Sequence, residues 1–209
     1  YHNSFILPTL VETFDEGADG IAKLPTDWHK GSGTYAIKQI NSSDTLPTYW
    51  KGIKLYDKYL ECTVAGTIAT LSGQAYGTWE WDMYKGADGN TMFTHFTNDN
   101  LLHDSGNDGY TTVFGSTEII GIQKSTNGSR ATIVLSATSA LNINQWYHVK
   151  ITRTKAGVMT IWIDGVLVVA DSGSNPATDT DFPTSVFTVL DNDAGDRVAN
   201  FTYKDEIQQ

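Results

Sequence analysis

The sequence has one cysteine, no long apolar run and fewer basic than acidic residues, and each shortage excludes a class of protein. Cys62 alone excludes an internal disulfide and a cysteine-based zinc site. No stretch approaches the roughly 18 apolar residues of a membrane helix, so membrane insertion is not expected. Fourteen basic against 24 acidic residues give a net charge of −10. Nucleic acid and anionic membranes are therefore unfavourable partners.

The segment Gln145–Ala170 carries the strongest structural pattern, because its two arms alternate apolar and polar residues on either side of a turn at 155–157. A period of two with one apolar face is typical of a half-buried antiparallel strand. Asp164-Gly165 then predicts a tight turn, after which Val166–Val169 resume the sheet. The predicted apolar face consists of Tyr147, Val149, Ile151, Met159, Ile161 and Ile163, with His148, Lys150, Thr152, Thr160, Trp162 and Asp164 on the other face.

The rest of the chain shows the same strand rhythm, without a helical period, a repeat or a linker. Further strands are predicted at Gly77–Tyr84, Thr91–Thr97, Thr111–Lys124, Ser129–Ser136, Ser185–Leu190 and Arg197–Tyr203, with loops at 98–110 and 172–181. Cys62 alternates with Leu60 and Val64 on another predicted strand, which indicates a core thiol. We therefore predict an N-terminal arm, residues 1–10, and a single all-β domain, residues 11–209, built as an antiparallel two-sheet sandwich.

The pattern Trp146-Tyr-His-Val-x-Ile-x-Arg, then Gly157, then Ile161-Trp-Ile-Asp-Gly165 resembles the laminin G-like and pentraxin branch of the concanavalin A-like lectin/glucanase superfamily. The resemblance implies a jelly-roll sandwich. The run Phe14-Asp-Glu-Gly17, then Trp28, then Ser32-Gly-Thr-Tyr35 resembles the opening of many sandwich modules, in which the first strand pairs with the last one. It leaves the function open, since the superfamily contains lectins, adhesion modules, hydrolases, lyases and virion proteins.

The run Glu80-Trp-Asp82-Met-Tyr-Lys85 resembles the Glu-x-Asp-x-x-Glu strand of the glucanase branch. Retaining hydrolysis needs two nearby carboxyl groups, one of them able to donate a proton. Lys85 stands at the third acidic position, and an ammonium group cannot replace that acid. A lyase would instead need a general base beside a charge neutraliser, which His95, His148, Tyr84 and Lys150 could supply if they converged. Neither pattern makes an enzyme the favoured interpretation.

Glycan binding is the chemistry that the aromatic residues favour, because sugars pack their C–H surfaces against aromatic rings. Trp162, with His148 and Lys150 on the neighbouring strand, is one candidate group. Trp50 with Tyr49 is a second, in a predicted loop. The polar face of the strand at 77–84 adds a third set of candidates: Glu80, Asp82 and Tyr84. Each tryptophan has the alternative role of pinning the two sheets together.

Calcium is a possible ligand, since it prefers carboxylate and carbonyl oxygens. Three groups of acidic residues are candidates. The first combines Asp15 and Glu16 with Asp205, and the others are the loop sets Asp99, Asp104, Asp108 and Asp191, Asp193, Asp196. None has the spacing of an EF-hand loop, and acidic turn residues also serve as acceptors for backbone N–H groups.

The C-terminal run from Ser172 to Tyr203 resembles sandwich modules of tailed bacteriophages and similar virions. The resemblance implies a non-catalytic protein on an extracellular or virion surface, which recognises glycan or a partner subunit. A polysaccharide-cleaving enzyme of the same superfamily is the alternative. The apolar residues of segment 1–10 suggest homo-oligomer formation through this arm, and a first residue other than Met suggests a processed or excised piece.

Overall fold

The computed structural model describes residues 10–12, 28–40, 58–100 and 106–204. Within these ranges there is no helix, and hence none that could cross a membrane. The strands are β1 Leu10–Glu12, β2 Trp28–Lys30, β3 Thr34–Gln39, β4 Lys58–Val64, β5 Gly66–Leu71, β6 Gly77–Tyr84, β7 Met92–Asn98, β8 Gly109–Phe114, β9 Ile120–Thr126, β10 Ser129–Leu135, β11 Trp146–Arg153, β12 Val158–Ile163, β13 Val166–Leu167, β14 Ser172–Gly173, β15 Ala177–Thr178, β16 Phe187–Asn192 and β17 Arg197–Lys204.

These strands form two antiparallel sheets, which confirms the predicted sandwich. The nine-stranded sheet has the order β13-β12-β11-β6-β17-β4-β3, with β1 also paired to β17 and β15 to β12. The eight-stranded sheet has the order β14-β10-β9-β8-β7-β16-β5-β2. Leu10 pairs with Tyr203, so the first described strand pairs with the last described one, as the resemblance to the opening of sandwich modules implies.

The core lies between the two sheets and is closed by large aromatic side chains. Trp79 packs on Phe96 of the opposite sheet at 5.1 Å between ring centroids. Trp81 stacks on Phe201 at 5.6 Å, and both tryptophans are fully buried. Trp79 therefore has a structural role, in which an aromatic ring pins one sheet to the other, whereas Trp81 packs on a ring of its own sheet.

Four local predictions are wrong or incomplete. The segment predicted as one strand, Thr111–Lys124, is two strands, because a turn at 115–119 is closed by a hydrogen bond from Glu118 N to Gly115 O. The strand at Val166 ends at Leu167, and the predicted loop at 172–181 contains β14 and β15. Cys62 is buried as predicted, but its neighbour Val64 is 56% exposed.

A buried arginine ties one end of the sandwich together. Arg153, at the end of β11, is 1% exposed. Its Nη1 donates to the carbonyl groups of Ala75, at 2.8 Å, and Phe182, at 2.9 Å. Its guanidinium also lies 4.4 Å from the ring centroid of Tyr110. Because Arg presents several donors in a rigid fork, one side chain can hold two separate loops against the sheet.

Candidate functional site

The outer face of the nine-stranded sheet, turned away from the core, brings polar side chains of four strands into two adjacent rows. In the first row, here called the Trp162 row, the sheet pairing aligns Trp162 with Lys150, Lys150 with Glu80, and Glu80 with Thr202. In the second, the threonine row, Thr160, Thr152, Thr78 and Lys204 are aligned in the same way. Four strands at the usual spacing make each row about 14 Å long.

The Trp162 row combines an aromatic face with groups that donate and accept hydrogen bonds. Lys150 Nζ lies 3.4 Å from Glu80 Oε1 and 5.7 Å from the centroid of the Trp162 ring. The lysine and glutamate side chains are 42% and 31% exposed, and Trp162 is half-buried. Since the ion pair already neutralises both charges, the row offers polarity without a strong net charge.

On the side of the Trp162 row away from the threonine row, the aligned pair His148 and Asp82 is closed to solvent. His148 is 4% exposed and Asp82 is fully buried, with His148 Nδ1 2.8 Å from Asp82 Oδ1. The backbone N–H of His148 donates to Asp164 Oδ1 at 2.8 Å. Burial raises the pKa of Asp164, while this N–H and the nearby imidazole oppose the rise. The expectation that the hairpin exposes His148 beside Trp162 is therefore wrong.

Beyond this pair, the same face carries an aromatic cluster. Trp146 is fully buried between Tyr59 and Tyr84, at centroid distances of 5.6 and 5.5 Å. The Arg197 guanidinium lies over the rings of both tyrosines, at 4.9 and 4.3 Å, and Nε donates to Glu61 at 3.0 Å. Tyr84 itself is half-buried. Such cation–π contacts hold the cluster in place on the far side of the His148–Asp82 pair from the two rows.

The structure changes the comparison with the glucanase strand. The side chain that follows Asp82 on the outer face is Tyr84, whose hydroxyl donates to Asn144 Oδ1 at 3.2 Å. Lys85 lies beyond the end of β6 and is fully buried, with Nζ donating to Gly115 O at 2.7 Å and 5.0 Å from the centroid of the Phe114 ring. Lys85 therefore does not lie beside Glu80 and Asp82 on the outer face, where the glucanase strand would carry its third acidic residue.

The candidate lyase group does not assemble completely. His148, Tyr84 and Lys150 share the nine-stranded sheet, but His95 belongs to β7 of the other sheet. Trp28 begins β2 and is buried, with its ring edge-on to Phe201 at 6.1 Å, so it belongs to the core. The remaining aromatic candidates, Trp50 and Tyr49, lie outside the described residues.

The acidic loop residues act mainly as acceptors for backbone groups. Asp196 accepts from the N–H groups of Gly86 and Asp193, at 3.1 and 3.0 Å, and Asp193 accepts from Thr91 N at 3.2 Å. Asp191 lies on β16. Burial raises the pKa of Asp196 to about 6.

The other acidic set, between β7 and β8, behaves similarly. Asp99 accepts from Asp108 N at 2.7 Å, and Asp108 accepts from Asn127 N at 2.6 Å. Within the described ranges, no three Asp, Glu, His or Cys side chains are grouped so that they could hold a metal ion. Asp15, Glu16, Asp104 and Asp205 lie outside those ranges, so the calcium site that combines the first and last strands stays a prediction.

The sequence identified Trp162, Lys150 and Glu80 but missed the threonines beside them. Thr78, Thr152 and Thr160 were visible as the polar positions of three predicted strands. Their alignment depends on the order β12-β11-β6-β17, in which β6 and β17 are far apart in sequence. Alternation predicts the face on which a side chain lies, but only strand pairing predicts its neighbours across the sheet.

The fold is a concanavalin A-like jelly-roll sandwich, and several solved structures share it. The chain is similar to the carbohydrate binding module CBM66 from Bacillus subtilis, with a TM-score of 0.59 and 20% identity over 86% of this chain and 96% of that one. It is also similar to the Bacillus licheniformis beta-glucanase, with a TM-score of 0.57 and 13% identity over 96% and 99% of the two chains.

A third similar structure is the carbohydrate recognition domain of Emp47p, with a TM-score of 0.52 and 8% identity over 95% of each chain. At these identities the likeness concerns the fold. No family model matches the sequence, and no curated protein is similar enough to be matched.

Proposed function

We propose that this protein binds a saccharide on the outer face of its nine-stranded sheet, along the Trp162 row and the threonine row. The observation that carries the proposal is the alignment of Trp162, Lys150 and Glu80 across three neighbouring strands. An aromatic face packs against the C–H surface of a sugar ring, and flanking donors and acceptors fix its hydroxyl groups.

The dimensions and the charge of the rows indicate the kind of saccharide. A row of about 14 Å is longer than one sugar ring, which favours an oligosaccharide or a polysaccharide segment. The Lys150–Glu80 pair leaves the Trp162 row with little net charge, and Lys204 is the one charged side chain of the threonine row, so a neutral chain fits better than a strongly anionic one. Rigid strands also keep these side chains in place before binding, which reduces the entropy lost on association.

The likeness to the B. subtilis carbohydrate binding module and the Emp47p carbohydrate recognition domain supports a binding role for this fold. The likeness to the B. licheniformis beta-glucanase supports the rival, a polysaccharide-cleaving enzyme. One observation favours that rival: Glu80 and Asp82 occupy successive outward positions of β6. Two nearby carboxyl groups are what retaining glycoside hydrolysis uses, but Asp82 is buried against His148 and would have to be uncovered to reach a substrate.

The two functions separate in one experiment on a panel of neutral and acidic polysaccharides. Retention of the protein in affinity gels without new reducing ends and without ultraviolet absorbance from unsaturated sugars is the result expected for a binding protein. Turnover that is lost in Glu80→Gln would establish the enzyme instead. Failure to bind or cleave any member of the panel would contradict both functions.

We further propose that this module lies on a virion or another extracellular surface. We also propose that it assembles through residues 1–10. They rest on the resemblance of the C-terminal run and on the apolar residues of that segment. Light scattering on the chain with and without residues 1–10 tests the assembly. If the number of chains per particle is the same with and without residues 1–10, the segment has no part in the assembly.

A further inference from the structure

An apolar cavity of about 390 Å³ opens where the edge of the nine-stranded sheet meets the loop that follows β10. Its walls come from both sheets and from that loop. The buried wall residues are Ile120, Leu141, Ile163 and Val168. Its rim is formed by Val166, Leu167 and Val169, which are 69%, 43% and 84% exposed. A cavity of this size with mostly aliphatic walls matches sites for small ligands.

The polar groups that line the cavity favour a neutral ligand. Ser136 Oγ accepts from Ile120 N at 2.9 Å and donates to Ala137 O at 3.0 Å, so its hydrogen bonds are already made within the protein. Asp171 is the charged member of the lining, and it is exposed. Its carboxylate would repel an anionic group at the rim. The lining therefore suits an aliphatic or aromatic group that needs no hydrogen bond.

The cavity adjoins the saccharide rows through the pairing of β13 with β12. Leu167, on the rim, is aligned directly with Trp162. A sugar packed against the Trp162 ring would thus lie one strand away from the cavity opening. The Trp162 row and the cavity form a continuous path from polar to apolar surface.

We propose that this cavity is a subsite for a neutral apolar group, an acyl, alkyl or aryl substituent, attached to the saccharide that lies on the Trp162 row. The inference rests on the proposed saccharide binding and specifies its ligand. The substituent leaves water for a cavity that is already formed, and its burial adds affinity to the sugar contacts.

The test compares methyl and n-octyl β-glycosides of glucose, galactose and mannose, together with 1-octanol, at concentrations below those at which the octyl compounds form micelles. Binding is followed by the methyl NMR signals of Leu141, Ile163 and Val168. We expect at least one octyl glycoside to bind about tenfold or more tightly than its methyl counterpart and to shift these signals, since each buried CH₂ adds affinity.

Substitutions in the cavity and on the Trp162 row show which part of the octyl glycoside binds at each place. Ala140→Phe places a ring in the cavity lining, and Ala156→Phe, at the exposed β11–β12 turn, is the matched control. The preference for the octyl glycoside should disappear in the first and persist in the second. Trp162→Ala should weaken the octyl glycoside several-fold and leave 1-octanol unchanged.

Two results would overturn the inference. In one, no octyl glycoside shifts the cavity signals. In the other, Trp162→Ala has the same effect on the octyl glycoside as on 1-octanol, because the cavity would then be an apolar site without a saccharide partner. Failure of the proposed function looks different: no polysaccharide of the panel would be retained, whatever the octyl compounds do.

Discussion

His148 Nδ1 lies 2.8 Å from Asp82 Oδ1, on a face of the sheet that is turned away from the core, and both side chains are nonetheless buried. This pair divides the outer face into two parts. On one side are the half-exposed Trp162 row and the threonine row, and on the other is the aromatic cluster around Trp146. The pair therefore has a structural role between them, and the accessible groups that a ligand can contact belong to the rows.

The first prediction concerns this pair. Asp82→Ala should lower the free energy of unfolding by about 3 kcal/mol, since it removes the buried carboxylate that His148 Nδ1 contacts. Urea denaturation measures the change. Asp171→Ala, which removes an exposed carboxylate, is the control and should change stability by about 0.5 kcal/mol or less. Equal effects of the two substitutions would show that the burial of Asp82 has no energetic consequence.

The second prediction concerns Arg153. Arg153→Met should destabilise the protein by about 3 kcal/mol, because the carbonyl groups of Ala75 and Phe182 lose their donor inside the protein. Arg153→Lys should recover only part of this loss, since an ammonium group lacks the planar fork. Thermal unfolding measures both, with Lys155→Met at the exposed turn as control. If Arg153→Lys restored the full stability, the planar guanidinium would not be what holds the two loops against the sheet.

The third prediction is a pH dependence from Asp196. Burial raises the pKa of this carboxyl group from 3.8 to about 6, so the folded state holds the proton more tightly than the unfolded state does. Its contribution to stability is therefore present below about pH 4 and is lost as the pH rises through about 6. The difference between the two pKa values corresponds to a change of about 3 kcal/mol in the free energy of unfolding.

The comparison with Asp196→Asn isolates this contribution, since asparagine does not titrate. Urea denaturation between pH 4 and pH 7 should show the wild type losing stability relative to the variant as the pH rises. A difference between the two proteins that stays constant over this range would mean that the carboxyl group titrates alike in the folded and unfolded states.

The fourth prediction concerns Cys62. Its thiol is fully buried and donates to Val64 O at 3.2 Å and Asn192 O at 3.3 Å. Burial raises its pKa to about 11. Because the thiolate is the reactive form, the native protein should not react with an aromatic disulfide reagent at pH 8, and the protein in denaturant should release one equivalent. Rapid reaction of the native protein would contradict the burial of this residue.

The sequence was sufficient for the fold because alternation and turns are local signals. The hairpin at 145–165 shows this: Val149, Ile151 and Ile161 all face the core, as predicted. The same signals failed at Lys85 and His148, where the outcome depended on tertiary contacts. A polar residue on an outward position is expected to be exposed, and no pattern in β11 alone indicates the carboxylate of Asp82 beside it.

The site was predictable only as a list of residue types. Trp162, Lys150 and Glu80 were each chosen for their chemistry, yet their alignment comes from the pairing of β11 with β6, which are about 70 residues apart in sequence. The cavity beside them was not predicted, because its walls come from β9, the loop after β10, and the β12–β13 hairpin. Contacts between such distant segments follow from sheet order rather than from local pattern.

Saccharide binding on the outer face is tested by the affinity of Trp162→Ala for a polysaccharide that the wild type retains, compared with the affinity of Phe187→Ala. Phe187 is a half-buried aromatic residue of the eight-stranded sheet, outside the proposed site. Removal of a ring that packs against a sugar should weaken binding by about tenfold or more for Trp162→Ala, as isothermal titration would record, and leave Phe187→Ala at the wild-type affinity. Unchanged affinity in Trp162→Ala, with the fold intact by circular dichroism, would contradict saccharide binding on this face.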